Sequence, residues 1–162
     1  MIRIINLFFI IFFLLSAKAY SLIEIDITRG NLDPLPIAVS PLFQDDSSKR
    51  NSINELKIEN VGSEISLVVE NNLKISGLFN PLSKEAFLQK PDIAHLKPRF
   101  EDWALIKAQA LITGKVTIED KKLKVEFRLW DILAGREMMA LAFTTVPSNW
   151  RRVGHIISDK VY

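Results

Sequence analysis

Three stretches in the second half of the chain alternate apolar and polar side chains, a period that places one set on each side of a strand. Within residues 123–130, Leu123, Val125, Phe127 and Leu129 fall on one side, and Lys124, Glu126, Arg128 and Trp130 on the other. The first set should face a core. Residues 110–118 form a second strand, and the intervening Glu119-Asp120-Lys121-Lys122 suits a hairpin turn. Beyond Gly135, the side chains of Met139, Leu141, Phe143 and Thr145 alternate in a third strand. The three make an antiparallel meander with one apolar face, which another layer has to cover.

Helical segments supply that layer. From Asn60 onward, Val61, Ile65, Val68, Val69 and Leu73 recur at helical spacing while Glu64, Glu70, Asn71 and Lys74 point elsewhere, and Gly77 stands where a C-terminal cap belongs. A last helix opens at Pro147-Ser148-Asn149, with Ser148 or Asn149 as N-cap and Trp150, Val153, Ile156, Ile157 and Val161 as its apolar stripe. Residues 100–107 predict a short helix with Trp103 inward, and residues 83–89 another. The prolines at 81, 91 and 98 leave the rest of that stretch, up to Arg99, as loop. Ahead of these, residues 35–39, with Leu42 and Phe43 beyond Pro41, read as a short strand, and residues 45–52 as a polar loop.

The expected fold is α/β (α+β): residues 34–162 build a two-layer domain whose mixed sheet ends in the three-stranded antiparallel meander and packs against helices. Over 162 residues, 48% hydrophobic and 25% charged side chains suffice for one such core. There is no cysteine, so no disulfide reinforces it.

Residues 1–19 read as a secretory signal peptide. Arg3 precedes an apolar run from Ile4 to Leu15 interrupted by Asn6, and Ser16-Ala17-Lys18-Ala19 is a small-x-small site. The run is well short of the roughly 20 residues a spanning helix needs. Cleavage is expected between Ala19 and Tyr20, which places the mature protein outside the cytoplasm. The absence of cysteine rules out a lipid anchor at that site. Arg3 and Lys18 leave with the leader, so 19 basic residues then balance 19 acidic ones. A neutral chain offers no electrostatic reason to bind nucleic acid or an anionic membrane.

Residues 20–33 begin the mature chain. Ile23, Ile25 and Ile27 alternate there with Glu24, Asp26 and Thr28. Two outcomes fit a terminal strand of this kind: permanent docking at an edge of its own domain, or addition to the sheet edge of a partner.

Catalytic signals are sparse. The two histidines, His95 and His155, lie 60 residues apart. His155 and Asp159 are one helical turn apart, spacing that suits a bound cation or an ordered hydrogen bond, and equally a surface pair with a packing or capping role. The latter is preferred. Gly30, Gly62, Gly114 and Gly135 mark turns and strand bends and form no phosphate loop. The adjacent carboxylates Asp45-Asp46, Glu101-Asp102 and Glu119-Asp120 read as solvated surface. Trp130, on the outward face of a strand, and Trp150, at a helix start, are either exposed anchors for a protein partner or side chains buried beneath another layer. No catalytic residue, metal site, cofactor or small-molecule substrate is expected. A small hydrolase using His155 and Asp159, or a solute-binding module, is the alternative.

Several segments together resemble the TolB family of periplasmic proteins of the Tol-Pal system. They are an L-x-I-x-I-T-like start, L-I-E-I-D-I-T (22–28), then P-I-A-V-x-P-L (36–42), S-G-L-F-N-P-L (76–82), F-E-D-W (100–103), A-L-I-T-G-K-V (110–116), F-R-L-W-D (127–131) and G-H-I-I-S-D-K-V-Y (154–162). Their order and spacing carry the likeness, which covers the family's N-terminal α/β domain. The family continues past the final helix into a β-propeller that this sequence does not contain, so the chain is expected to be either a piece of such a protein or a separate domain. The resemblance implies a non-enzymatic, monomeric interaction protein that maintains the outer membrane and serves envelope constriction at cell division. It implies that the mature N-terminal segment binds a TolA-like inner-membrane protein, with Leu22, Ile23, Glu24, Ile25, Asp26 and Ile27 as contacts. Pal would be reached only through the propeller.

Overall fold

The computed structural model describes residues 33–162; the expected signal peptide, its cleavage site and the strand at residues 22–28 lie outside the described residues. Six strands form one mixed sheet: β1 (Leu35–Val39), β2 (Phe43–Gln44), β3 (Phe79–Pro81), β4 (Ala110–Glu119), β5 (Lys122–Asp131) and β6 (Arg136–Thr145). The order is β3-β1-β4-β5-β6, and β2 follows β1 along the same side of β4. β1 runs parallel to both β3 and β4, whereas β4, β5 and β6 are the expected antiparallel meander. Asp120 and Lys121 turn the first hairpin with φ of 50° and 59°, as a tight two-residue turn that follows the sheet's twist demands.

Among the described residues five helices accompany the sheet: α1 (Asp46–Leu56), α2 (Val61–Ile75), α3 (Pro91–Ala94), α4 (Phe100–Leu105) and α5 (Trp150–Val161). On one face, Val61, Ile65, Val69 and Leu73 of α2 and Val153 and Ile157 of α5 pack on Ile37, Val39, Ile112, Val116, Leu123, Val125 and Phe127. These are the stripes and alternations read from the sequence. Asn60 caps α2 by accepting from Ser63 N at 2.9 Å, and Gly77, at φ 73°, follows its last turn. Where α2 meets α5, a β-carbon on Gly154 would sit 2.8 Å from Val68 Cγ1, so glycine lets the two helices close. On the other face, Trp103, Ala94 and Ala108 cover Ala38, Leu111, Trp130 and Ile132, but only at the end where β1 and β4 begin.

Residues 45–52 are not a loop. Asp45 accepts from Ser48 N at 2.8 Å and starts α1, whose buried residues are Ser48 and Ser52. Helical periodicity of apolar residues cannot reveal a helix that faces inward with hydroxyls. The inward serines have a purpose at β4, whose edge runs on past β2. There Ser48 Oγ accepts from Ile118 N at 3.2 Å and Asn51 Nδ2 donates to Ile118 O at 2.7 Å, so the helix serves the backbone groups a neighbouring strand would have paired. Three smaller differences occur. Residues 83–89 hold a single 3₁₀ turn, Lys84–Ala86, and Pro91 starts a short helix within the expected loop. Asn149 precedes α5 without capping it, and its side-chain amide donates to Thr145 Oγ1 at 2.9 Å.

β1 and β2 are one strand interrupted by Ser40-Pro41-Leu42. Proline cannot donate to the ladder, and the buried Leu42 N donates instead to Ser66 Oγ at 3.0 Å, while that hydroxyl reaches Ser40 O at 3.1 Å and Gly62 O at 2.9 Å. Gln44 ties the same region, accepting from Gly62 N at 3.2 Å and donating to Ser52 Oγ at 3.2 Å. Ser66→Ala strands the buried Leu42 N–H and should lower the unfolding free energy by about 1–3 kcal/mol in urea titration, with the slope unchanged. Asp45→Ala should cost about 1 kcal/mol. Its hydrogen bond from Ser48 N, opposed by desolvation and assisted by Ser47, holds the Asp45 carboxyl below its ordinary range. A carboxylate whose pKa falls on folding stabilises above its unfolded pKa and stops doing so as pH drops through the folded value. Denaturation followed from neutral pH downward should therefore show a loss below about pH 4 that Asp45→Asn, a cap with no charge to titrate, does not share.

Candidate functional site

His155 and Asp159 lie on the exposed side of α5, in an open cleft of about 310 Å³ with Asn72, Ile75, Ser76 and Tyr162. Asn72 organises it. Its side-chain amide donates to Ser158 Oγ at 3.0 Å and lies 2.9 Å from His155 Nδ1, which therefore accepts. Tyr162 Oη donates to the Asn72 carbonyl at 2.7 Å. Asp159 makes no ion pair with His155. The two residues thus share a cleft without the direct contact a base and its orienting carboxylate need. Their neighbours fit the packing role: His155, Ser158 and Tyr162 hold the end of α5 on α2. Among the described residues, no group of three or more His, Asp or Glu is placed to hold a metal ion.

His95 is far from this cleft. Its ring stacks on Phe43 with centroids 4.5 Å apart, and Nδ1 lies 3.0 Å from the Pro91 carbonyl, to which it donates. Its own carbonyl accepts from Arg128 Nη1 at 2.9 Å. His95 and Arg128 border a shallow groove of about 400 Å³ on the uncovered part of the second sheet face, with Lys115, Glu126, Ala140 and Ala142.

The tryptophans divide. Trp130 is on the face opposite the main core, as the alternation requires, but lies beneath α4: it is 6% exposed, donates to Thr113 Oγ1 at 2.8 Å and meets the edge of Phe100. It is a core residue, not an anchor for a partner. Trp150 is half-buried against the main core, with the Arg151 guanidinium 4.8 Å from its ring centre. Trp103, fully buried, donates to Gln89 Oε1 at 2.7 Å. No local pattern points to the partner in this bond, since a lone glutamine between two prolines carries no periodic signal.

β6 has no neighbour on its outer side among the described residues, and most of its side chains are exposed. Alternation identifies a strand but not whether it stands at an edge. Met138 and Leu141 are exposed along it, and Leu133 in the turn before it. None of the helices among the described residues is long and apolar enough to cross a membrane.

Comparison with known proteins agrees with this geometry. Over 154 residues, 95% of the chain, it is 74% identical to the Tol-Pal system protein TolB of Pelagibacter ubique (strain HTCC1062). The match takes in 34% of that protein, so the chain spans about a third of its length. Among solved structures, TolB from Acinetobacter baumannii superposes with a TM-score of 0.61 at 20% identity, over 80% of this chain and 27% of that one. Lipoprotein GNA1162 from Neisseria meningitidis has a TM-score of 0.51 at 19% identity, over 79% of this chain and 94% of its own, a likeness of fold alone. The model of the TolB amino-terminal domain matches residues 23–138, and the chain belongs to that family.

Proposed function

We propose that the chain is a non-enzymatic interaction domain of the Tol-Pal system, exported to the periplasm by a signal peptide cleaved between Ala19 and Tyr20 and acting as a monomer. Its mature N-terminal strand, through Leu22, Ile23, Glu24, Ile25, Asp26 and Ile27, adds to a sheet edge of a TolA-like inner-membrane protein. Any coupling to Pal runs through a propeller outside this sequence. The domain in this way helps to hold the outer membrane to the constricting envelope at division.

One observation carries the reading: the 74% identity with TolB along nearly the whole chain. The alternation of isoleucine with glutamate and aspartate supports strand addition, because backbone pairing supplies affinity while alternate side chains supply selectivity. The rival hydrolase reading has less behind it, since His155 is engaged by Asn72 and not by Asp159.

Calorimetric titration with the C-terminal domain of TolA tests the proposal. The chain should bind, a form lacking residues 20–33 should not, and both should unfold in one cooperative transition. Equal binding by the shortened form overturns the reading. Ile25→Lys should weaken binding at least about tenfold without lowering stability, as loss of a central apolar contact does. His155→Ala removes one exposed hydrogen bond and should cost less than about 1 kcal/mol of stability. If a measurable hydrolytic turnover disappeared with it, the hydrolase would be favoured instead.

A further inference from the structure

A long edge strand is a template for another chain unless proline, a central lysine or a covering element blunts it. β6 has none of these among the described residues. Its charges, Arg136 and Glu137, sit at its first end, and the eight residues from Met138 to Thr145 are neutral. The opposite edge, β3, is three residues long and ends in Pro81.

Two grooves run beside β6, one on each sheet face. On the helix side, Phe143, Thr145, Arg152, Val153 and Ile156 line a mostly apolar trough of about 360 Å³ between β6 and α5. On the other side, Ala140 and Ala142 are cross-strand neighbours of Arg128 and Glu126, and their small side chains leave open the groove of about 400 Å³. The charges beside β6 are unevenly matched. Lys124 is held by Glu126 at 3.0 Å and Arg128 by Glu137 at 3.2 Å, whereas Lys115 in one groove and Arg152 in the other have no carboxylate within 4.0 Å among the described residues.

We propose that β6 is a second docking edge, which takes an extended segment of another protein in which aliphatic residues alternate with carboxylates. The segment pairs with the β6 backbone, its aliphatic side chains enter the trough against Phe143 and Ile156, and its carboxylates pass over Ala140 and Ala142 toward Arg128 and Lys115. This surface is independent of the N-terminal strand and stands if the TolA reading fails.

A short synthetic peptide of alternating isoleucine and glutamate is the probe, titrated into the isotopically labelled chain and followed by amide chemical shifts. The shifts should cluster at residues 136–145 and 152–156. The same peptide with lysine in place of glutamate should bind at least about tenfold more weakly, and Lys115→Glu should weaken the glutamate peptide by a similar factor. Ile156→Lys should do the same, with melting of both variants checked to show that the fold is kept. Shifts confined to another surface, no binding, or equal affinity for the two peptides would overturn the assignment. So would a mass that doubles with concentration through β6, which identifies a second copy as occupant. If binding emerged only after deletion of residues 20–32, the chain's own segment would be the occupant, and the proposal of a foreign strand would fail.

Discussion

The interruption of the strand beside β4 is the constraint on which the rest of the domain depends. After Ser40 N donates to Ile112 O at 3.0 Å, Pro41 and Leu42 leave the ladder in the middle of the sheet, where unpaired backbone groups cost most. Their partners come from α2, through Ser66, and the carbonyl of Leu42 comes so near Gly62 that a β-carbon there would meet it. Gly114 yields in the same way to Leu42 and to the carbonyl of Glu126 on β5. Two glycines and one hydroxyl thereby fix where α2 crosses the sheet. With α2 in place, Val68 meets Gly154 and the angle of α5 is set as well.

What the sequence made legible follows from how each element is stabilised. The meander and the stripes of α2 and α5 are held by apolar burial, which writes a period into the chain, and the structure follows that period residue by residue from Leu123 to Leu129 and from Val61 to Leu73. α1 is held otherwise. Its inner face is Ser48 and Ser52 and its start is the Asp45 cap, so a chemistry of hydrogen bonds replaced the hydrophobic signal. β3 escaped for another reason: Phe79, Asn80 and Pro81 are too few to show alternation, and proline there reads as a break although an edge strand tolerates it.

The candidate site was legible to a different degree. Spacing placed His155 and Asp159 on one side of α5, but helical geometry does not say which neighbour a side chain will choose. Asn72, 83 residues away in sequence, engages the imidazole and Ser158 together. Trp130 shows the same limit from the other direction. Alternation put it on the correct face, but the cover supplied by Phe100 and α4 comes from a short helix among prolines whose position on the sheet no local pattern encodes.

The second sheet face explains why recognition and folding can occupy separate parts of so small a domain. Its covered end carries Leu111, Trp130 and Ile132 beneath Trp103 of α4, large side chains whose burial stabilises the sheet. Its open end carries Lys115, Glu126 and Arg128 beside Ala140 and Ala142, where little apolar area is at stake. Substitutions at the open end therefore change what the edge attracts without removing much of what holds the sheet. Continuous cover by α3 and α4 would have protected the edge and eliminated the groove. The short helices end before β6, and a ten-residue strand keeps one side of its backbone free for pairing among the described residues.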